Sequence, residues 1–392
     1  MKNMKYFLIT FGCQMNKSDS ERISSVLEKI GYRPVLKEDK ADLIVVNMCS
    51  VRQSAVDRVY GLAKKFNKIK RQKPKLKTIL TGCILKKDKE KFAKIFDSIL
   101  DIKDLKNWPK IIKKQSYKNK ENTNLSFSCE YLKIKPKHQS NLLAFVPIST
   151  GCNNFCTYCV VPFTRGKLVC RNHKEILKEI KNLVKKGYKE IWLLGQNVND
   201  YHSPINTNLA TNFRECNINI GHIRDQISAN SRGVNFAKLI KMVNNIPGNF
   251  KFFFTSPHPK NFSDELIEVL AKSKKFGKIL NLPVQSGDNE ILKRMNRNYT
   301  IEQYKELINK IRKKIPDIKL STDVIVGFPG ETKKHFENTV KLFKEIKFDW
   351  AYIAKYSPRP GTAAAKLKDN VSLKEKKRRE KILRNLIGRG KF

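Results

Sequence analysis

Three cysteines stand close together near the middle of the chain, Cys152, Cys156 and Cys159, with three and then two residues between them. Three thiolates on one short loop can ligate three irons of a 4Fe-4S cube and leave the fourth iron without a protein ligand. An open iron can bind the amino and carboxylate groups of S-adenosylmethionine (SAM) and pass it an electron, which releases a 5′-deoxyadenosyl radical. We therefore predict that these cysteines are catalytic and hold a 4Fe-4S cluster that cleaves SAM.

A structural zinc site is the alternative for this loop, with Cys170 as the fourth ligand after ten intervening residues. Structural zinc sites usually combine two similar cysteine pairs, whereas the spacing here is asymmetric. The loop also follows a predicted strand at 143–149, and barrel enzymes place their chemistry at the carboxyl ends of strands. Position therefore favours the radical cluster. Tyr158, beside the last cysteine, either packs against the adenine of the cofactor or belongs to the core.

A second set of cysteines is indicated by position rather than by spacing. Cys13, Cys49 and Cys83 each lie just beyond an apolar run and are 36 and 34 residues apart. In an open parallel sheet the carboxyl ends of all strands meet at one edge, so the three thiols should converge there. Isolated cysteines are also common as small buried apolar residues, which is the alternative. Recurrence in three successive units favours a second 4Fe-4S cluster with three protein ligands and one exchangeable iron.

Three turns at the ends of later predicted strands carry glycine or amide side chains, which let a backbone approach a ligand. Each turn alone is also ordinary turn chemistry, but their shared position predicts cofactor contacts in addition to Tyr158. The residues concerned are Gly195, Gln196 and Asn197 in the first turn, Gln285 in the second and Gly327 in the third.

The remaining cysteines have no pattern of partners. Cys129 and Cys216 lie in irregular polar stretches, and we expect free thiols at both. Cys170 is close enough in sequence to the first cluster to lie beside it. A disulfide framework is not expected, because the cytosol keeps thiols reduced.

The first 100 or so residues predict an α/β fold with an open parallel sheet, because apolar runs alternate with amphipathic stretches. A capping-box pattern at 18–21 predicts the start of a helix that ends at Gly31, and helical periodicity follows at 52–70 and after Lys87. The predicted strands are 6–10, 42–47 and 77–81.

A second βα series predicts a partial (β/α)6 barrel, a step short of the closed eight-stranded form. Its predicted strands are 143–149, 190–194, 251–255, 279–284, 320–328 and 350–356. The predicted domains are an N-terminal βα domain at 1–106, a linker at 107–138, the barrel at 139–370 with a surface insertion at 202–235, and a basic C-terminal helix within 371–392.

The charge of the chain favours a polyanionic partner. Among 392 residues, 80 Lys and Arg face 36 Asp and Glu, a formal net charge of +44. Such a charge attracts nucleic acid. A general bias in composition toward lysine on solvated faces would also raise the net charge, which is the alternative. No stretch approaches the ~20 apolar residues of a membrane span, and the start is unlike a signal peptide. We expect a cytoplasmic protein with no membrane partner.

Seven segments together resemble the radical-SAM methylthiotransferases, most closely the MiaB type that acts on isopentenyladenosine in tRNA. They are FGCQMN at 11–16, NMCSVR at 47–52, GCNNFCTYCVVPFTRG at 151–166, GQNVN at 195–199, TSPHP at 255–259, LPVQSG at 282–287 and YSPRPGT at 356–362. The resemblance runs from about Lys5 to the end of the chain, apart from the insertion.

The resemblance implies that Cys152, Cys156 and Cys159 hold the SAM-cleaving cluster and that Cys13, Cys49 and Cys83 hold an auxiliary cluster carrying sulfur. It implies two SAM molecules per turnover, one to methylate the sulfur and one to be cleaved, and transfer of a methylthio group to carbon 2 of an isopentenyladenosine next to the anticodon. It also implies an electron donor such as flavodoxin or ferredoxin, a sulfur or cluster donor, and a monomer.

Members of this family usually continue into a small RNA-binding barrel called TRAM, and we expect no such barrel within these 392 residues. The basic C-terminal helix and the overall charge are expected to compensate. Two other functions stay open. One is a sister methylthiotransferase that acts on threonylcarbamoyl-adenosine in tRNA or on an aspartate of a ribosomal protein, and the other is a non-catalytic iron-sulfur protein that binds RNA.

Overall fold

The computed structural model describes residues 4–51, 53–113, 130–203 and 233–387. The strands are β1 Lys5–Phe11, β2 Arg33–Pro34, β3 Leu43–Cys49, β4 Lys77–Cys83, β5 Ser98–Ile99, β6 Leu143–Pro147, β7 Ser149–Thr150, β8 Val169–Cys170, β9 Glu190–Leu194, β10 Lys251–Phe254, β11 Ile279–Asn281, β12 Lys319–Val326 and β13 Trp350–Lys355. The helices are α1 Gln14–Lys29, α2 Gln53–Gln72, α3 Lys86–Phe92, α4 Trp108–Lys113, α5 Val161–Thr164, α6 His173–Lys185, α7 Phe236–Asn244, α8 Asp264–Lys272, α9 Asn289–Arg294, α10 Ile301–Lys314, α11 Lys333–Ile346 and α12 Leu373–Asn385.

The N-terminal domain is an open parallel sheet, as the sequence predicts. Its strand order is β2-β1-β3-β4-β5, in which the two-residue edge strands β2 and β5 were not predicted. The central strand β3 is buried along its whole length, because apolar side chains cover both of its faces. One face packs against α1 through Ile23 and Leu27, and the other packs against α2 through Val59 and Phe66.

The predicted start of α1 at 18–21 is wrong, because the helix begins at Gln14 with Cys13 as its N-cap. Asn16 closes the capping box: its side-chain oxygen accepts a hydrogen bond from the Cys13 amide at 3.3 Å. The polar residues 18–21 lie within the helix, and their side chains are buried against other parts of the chain. Asp19, for example, pairs with Arg165. The end of the helix at Gly31, with φ +95°, is as predicted.

The segment predicted as a linker carries packed structure at both of its described ends. Trp108 in α4 and Tyr131 in a short 3₁₀ turn, Glu130–Lys133, are fully buried in the core of the N-terminal domain. The Trp108 indole donates to the carbonyl of Asp101 at 3.1 Å. The lysine-rich composition of this segment therefore did not indicate that two of its aromatic residues anchor it to the N-terminal domain. The domain boundaries stay a prediction.

The second domain is the predicted partial barrel of six parallel strands. Strands β6, β9 and β10 form one parallel sheet, and β11, β12 and β13 form another, in chain order. Among the described residues, an isolated parallel bridge between Phe252 and Phe276 joins the two halves. The predicted strand at 143–149 is interrupted, since β6 ends at Pro147 and β7 turns away to pair antiparallel with β8. Proline lacks the N–H that would continue the ladder.

Most of the predicted insertion, along with Cys129 and Cys216, lies outside the described residues. Its flanking residues His202 and Asn235 form an antiparallel bridge, so the chain leaves and rejoins the barrel at one place. No described helix combines the length and the apolar character needed to cross a membrane.

Candidate functional site

The auxiliary site, defined as Cys13, Cys49 and Cys83, lies at the carboxyl edge of the N-terminal sheet. Cys49 and Cys83 are paired in register as the last residues of β3 and β4, and Cys13 caps α1 just after β1. Hydrogen bonding with the Cys49 thiol lowers the pKa of Cys13 to about 6 and that of Cys83 to about 7. The same contacts raise the pKa of Cys49. Two of the three thiols are therefore readily ionised, which suits metal ligation.

Glycine and asparagine residues allow the loops of the auxiliary site to approach closely. Gly82 has φ +103°, and a side chain there would meet the Met48 carbonyl at 2.2 Å. Asn16 is fully buried and donates to Asn47 Oδ1 at 3.0 Å and to the Met48 carbonyl at 3.1 Å. These bonds tie the loop that carries Cys13 to the strand that carries Cys49.

The radical loop, defined as residues 151–166, follows β7 at the mouth of the barrel. Its two ends meet, because the Cys152 amide donates to the Gly166 carbonyl at 3.2 Å. A tight turn between its cysteines places Phe155 in the left-handed region, with φ 46°. Burial raises the pKa of Cys159 to about 12 and also raises that of Cys152. These thiols become thiolates when a metal displaces their protons.

Arg297 lies beside the radical loop. One of its nitrogens is 3.7 Å from the Cys156 sulfur, a second donates to the Pro283 carbonyl at 2.8 Å, and a third donates to the Tyr299 hydroxyl at 3.0 Å. The guanidinium therefore places positive charge beside the cysteine set, and charge and hydrogen bonds near the sulfurs of a cluster tune its reduction potential.

The first predicted cofactor turn contacts the radical loop directly. Gln196 accepts a hydrogen bond from the Gly151 amide at 2.6 Å and so supports the loop. Asn197 is 1% exposed, and neither polar atom of its side chain has a hydrogen-bond partner among the described residues. Gly195 has no room for a side chain, since a Cβ would meet Ser149 Oγ at 2.7 Å. Because a buried amide without partners is costly, the Asn197 side chain marks a place where a polar ligand fits.

The neighbouring turn after β10 supplies a second such group that sequence reasoning did not single out. His258 is buried, and its Nδ1 accepts from the Lys260 amide at 3.2 Å. Burial lowers the pKa of His258 to about 3, so the ring is neutral and its proton lies on Nε2. Nε2 has no partner among the described residues. A buried donor next to the Asn197 turn fits the polar groups of SAM, and its only sequence signal was the TSPHP segment.

The other predicted cofactor contacts have varied surroundings. Gln285 holds a left-handed backbone, φ 71°, and bridges to Val324 of β12. Tyr158 is partly buried and packs against an apolar cluster that includes Phe328 and Tyr356. Gly327 is covered by the C-terminal helix, since a Cβ there would meet the Lys376 side chain at 2.3 Å. A cofactor role for each of these residues stays a prediction.

The two cysteine sets face each other across the domain interface. Met15, two residues after Cys13, packs on Phe145 of β6 and Leu194 of β9. On the other side of the barrel mouth, Arg359 donates to Gln53 and to the Val51 carbonyl, just beyond Cys49. The carboxyl edge of the N-terminal sheet therefore covers the end of the barrel where the radical loop lies.

The zinc alternative gains no support from this geometry. Within the described part of the chain, no group of three His, Cys, Asp or Glu side chains is arranged to hold a single metal ion. Cys170, its expected fourth ligand, lies in β8 opposite Ser149. A 4Fe-4S cube needs no such arrangement, because each cysteine binds a different iron. Three cysteines on each side, with arginines nearby, fit two such cubes.

Comparison with known proteins agrees with this geometry. Residues 146–343 match the Radical SAM superfamily, and residues 5–102 match Uncharacterized protein family UPF0004. A tRNA-2-methylthio-N(6)-dimethylallyladenosine synthase of Clostridium botulinum (strain Hall) is 41% identical over 384 residues, which cover 94% of this chain and 78% of that protein. The chain belongs to this synthase family of radical SAM enzymes. The synthase from Carboxydothermus hydrogenoformans is 39% identical over 387 residues, which cover 97% of this chain and 82% of that protein.

Membership of the synthase family agrees with the fold seen in solved structures. The radical S-adenosylmethionine methyltransferase TsrM from Kitasatospora setae superposes with a TM-score of 0.62 at 13% identity, covering 93% of this chain and 75% of that chain. At that identity the likeness shows the fold alone. The predicted resemblance to radical-SAM methylthiotransferases is confirmed, and with it the use of SAM and 4Fe-4S clusters.

Proposed function

We propose that this radical SAM enzyme adds a methylthio group to carbon 2 of an isopentenyladenosine next to the anticodon of tRNA. One observation carries the proposal: two sets of three cysteines lie on facing edges of two domains that share an interface. A single-cluster radical enzyme has no use for the second set. The printed name of the synthase relatives supplies the dimethylallyladenosine of tRNA as the substrate.

The six cysteines divide into two roles in this proposal. Cys152, Cys156 and Cys159 hold the SAM-cleaving cluster, and Cys13, Cys49 and Cys83 hold the auxiliary cluster. When bound, these groups and two SAM molecules per turnover supply a hydrogen-abstracting radical and a methylated sulfur. The protein holds the two sites in register across the interface, so that one adenine carbon reaches both.

SAM is held by residues around the radical loop. The unpartnered amide of Asn197 and the Nε2 proton of His258 bind its polar groups. Gly195 and the left-handed Gln285 allow the backbone to approach it, and Gln196 keeps the loop in place. Tyr158 packs against the adenine of SAM. Gly327, at the end of β12, completes the predicted set of contacts with the cofactor.

The substrate is an exposed loop of tRNA, whose target base can leave its stack and enter the cleft between the domains. Positive charge around the cleft holds the phosphates. The enzyme acts as a cytoplasmic monomer, and it takes electrons from a donor such as flavodoxin or ferredoxin and sulfur from a sulfur or cluster donor. For the domains, we propose the predicted division into 1–106, 139–370 and 371–392, with the segment 107–138 adding Trp108 and Tyr131 to the core of the first.

The test is iron and acid-labile sulfide per chain after anaerobic reconstitution. We compare the parent with two triple variants, in which Cys152, Cys156 and Cys159 or Cys13, Cys49 and Cys83 become alanine. About eight irons in the parent and about four in each variant are expected for two cubes. Four in the parent and none in the first variant would leave a one-cluster enzyme and refute the proposal. A Cys170→Ala variant is the matched control and should keep about eight.

Substrate choice is tested with the reconstituted parent. Isopentenylated tRNA should gain a methylthio group, detected by mass spectrometry of nucleosides, and tRNA without the isopentenyl group should not. Methylthiolation of threonylcarbamoyl-adenosine tRNA in place of isopentenylated tRNA would assign the sister activity. Tight tRNA binding by a reconstituted enzyme that never cleaves SAM would indicate the non-catalytic protein.

A further inference from the structure

Arg165 belongs to the radical loop but makes its side-chain contacts with the auxiliary site. It follows α5, and the next residue along the chain, Gly166, accepts the hydrogen bond from the Cys152 amide. Its side chain is 3% exposed, and its Nε donates to the Cys83 sulfur at 3.0 Å. Arg165 thus contacts Cys83 of the auxiliary site directly, and its main-chain neighbour Gly166 contacts Cys152 of the radical loop.

The remaining nitrogens of Arg165 are fixed by residues of the N-terminal domain. One donates to the Asp19 carboxylate at 2.6 Å, and another donates to the Tyr131 hydroxyl at 3.0 Å. Asp19 lies in α1 two turns after Cys13, and Tyr131 is fully buried in the core of that domain. A guanidinium held by three acceptors in three directions has little freedom, so its contact with Cys83 is specific.

We propose that Arg165 is a positioning residue that tunes the auxiliary cluster and couples it to the radical loop. This inference rests on the proposed function, because it takes Cys83 as a cluster ligand. A cationic donor on a cluster sulfur favours the reduced cluster, which carries more negative charge. The same contact holds Cys83 at a set distance from the radical loop. Arg165 therefore links the electronic state of one site to the geometry of the other.

A redox titration followed by electron paramagnetic resonance tests the tuning. It uses the triple variant in which Cys152, Cys156 and Cys159 are alanine, so that only the auxiliary cluster gives a signal. In that background, Arg165→Gln should make the midpoint potential of the cluster more negative, and Arg165→Lys, which keeps the charge, should shift it less. An unchanged potential in Arg165→Gln would overturn the proposal.

The matched control is Arg171→Gln. Arg171 is another buried arginine, and like Arg165 it lies in the segment between β6 and α6. It forms an ion pair with Glu179 at 2.7 Å and donates a hydrogen bond to the Pro147 carbonyl. Among the described residues its guanidinium contacts Glu179 and the Pro147 carbonyl and none of Cys13, Cys49 and Cys83, so the potential should stay at the parent value. An equal shift in both variants would assign the effect to general loosening and overturn the proposal.

A second variant keeps the test decisive if Arg165→Gln binds no iron. Tyr131→Phe leaves the arginine in place and removes one of its three acceptors, and it should shift the potential in the same direction by less. No shift in Tyr131→Phe or in Arg165→Lys would then overturn the proposal. Failure of the parent background to bind about four irons would instead refute the auxiliary cluster itself, so the two failures are distinguishable.

Coupling is tested in the full enzyme with all six cysteines. Arg165→Gln should lose methylthio product by about tenfold or more, and by a larger factor than it loses 5′-deoxyadenosine, because a small misplacement of a reacting group has a large kinetic cost. The ratio of the two products therefore rises. A parallel fall of both products would show damage to the radical loop alone and would contradict the coupling.

Discussion

Cys49 and Cys83 are direct partners at the last residue pair of two neighbouring parallel strands. Adjacent strands lie about 4.8 Å apart, so the sheet itself sets the separation of these two thiols. The third thiol, on Cys13, is brought to them by the helix cap that follows β1. The auxiliary site is therefore built into the edge of a sheet, where strand pairing and a helix cap fix the positions of its three cysteines.

Gly82→Ala should damage this edge. The residue has φ +103°, and the added methyl group would meet the Met48 carbonyl at 2.2 Å. We expect a loss of at least about 2 kcal/mol in the free energy of unfolding, measured in urea, and lower iron content at the auxiliary site. Gly61→Ala in α2 is the control, since the new methyl would meet no described atom within 4 Å apart from its chain neighbours and the backbone of its own helix. It should stabilise the protein by about 0.5–1 kcal/mol, and equal effects would contradict the argument.

Asn16→Ala should destabilise the loop that carries Cys13. The substitution leaves the Met48 carbonyl and Asn47 Oδ1 buried without their donor. An unsatisfied buried group costs about 1–3 kcal/mol, and urea unfolding measures the loss. Asn182→Ala, at an exposed position of α6, should change stability by less than about 0.5 kcal/mol. A neutral Asn16→Ala would mean that the network contributes nothing.

His258 should make the protein less stable in mild acid. Burial holds its pKa at about 3, below the usual value near 6.5, and Arg297, Lys260 and Tyr299 are the ionisable groups around it. Between those two pH values the unfolded chain binds a proton that the folded protein does not. Stability contributed by the neutral ring is complete above about pH 6.5 and falls as the pH drops, by up to about 1.4 kcal/mol per pH unit.

The measurement compares urea unfolding of the parent and of His258→Gln at several pH values between about 5 and 8. Glutamine does not titrate, so the variant should lose less stability on acidification than the parent. Identical pH dependence in the two proteins would show that the ring is solvated and protonates normally.

The C-terminal helix α12 should contribute to tRNA binding through its exposed lysines and not through its buried cations. Lys376 and Arg379 are buried and paired with Asp369 and Glu331, which attaches the helix to the end of β12. Replacing the exposed Lys374, Lys377 and Lys381 by alanine should weaken tRNA binding. Each lost phosphate contact makes the plot of log affinity against log salt shallower, reducing the magnitude of its negative slope by about 0.7–0.9.

The control for α12 removes three exposed lysines from α6, on the outside of the barrel: Lys178, Lys181 and Lys185. Both variants lose the same net charge, so fluorescence titrations over a range of salt separate local contact from overall field. Equal weakening by both variants would mean that only the net charge of the chain matters.

The fold and the two cysteine sets were predictable from sequence because they rest on local patterns. Apolar runs that alternate with amphipathic stretches indicate parallel strands, and each cysteine of the auxiliary site directly follows such a run. The start of α1 was not predictable in this way. The polar residues 18–21 resemble a cap, but Asp19 is buried for an ion pair with Arg165, and a local pattern does not show a partner so distant in the chain.

The same limit applies to His258 and Arg297. Each is one polar residue in a turn, and its role depends on the folded barrel, which leaves Nε2 of His258 without a partner among the described residues and brings Arg297 to Cys156. Trp108 and Tyr131 were missed for another reason, because the lysine-rich stretch around them reads as solvated although both rings are buried. Burial of single aromatic residues is decided by the tertiary fold.

The Arg165 contacts also order events during synthesis. The N-terminal domain leaves the ribosome first and can form its sheet, since domains fold as units in the order they are made. Its cysteine edge is nevertheless incomplete, because the donor to Cys83 comes 82 residues later and the contact of Arg359 with Gln53 spans 306 residues. Delivery of iron and sulfide to the nascent chain should therefore be productive at the auxiliary site only after the barrel has been translated.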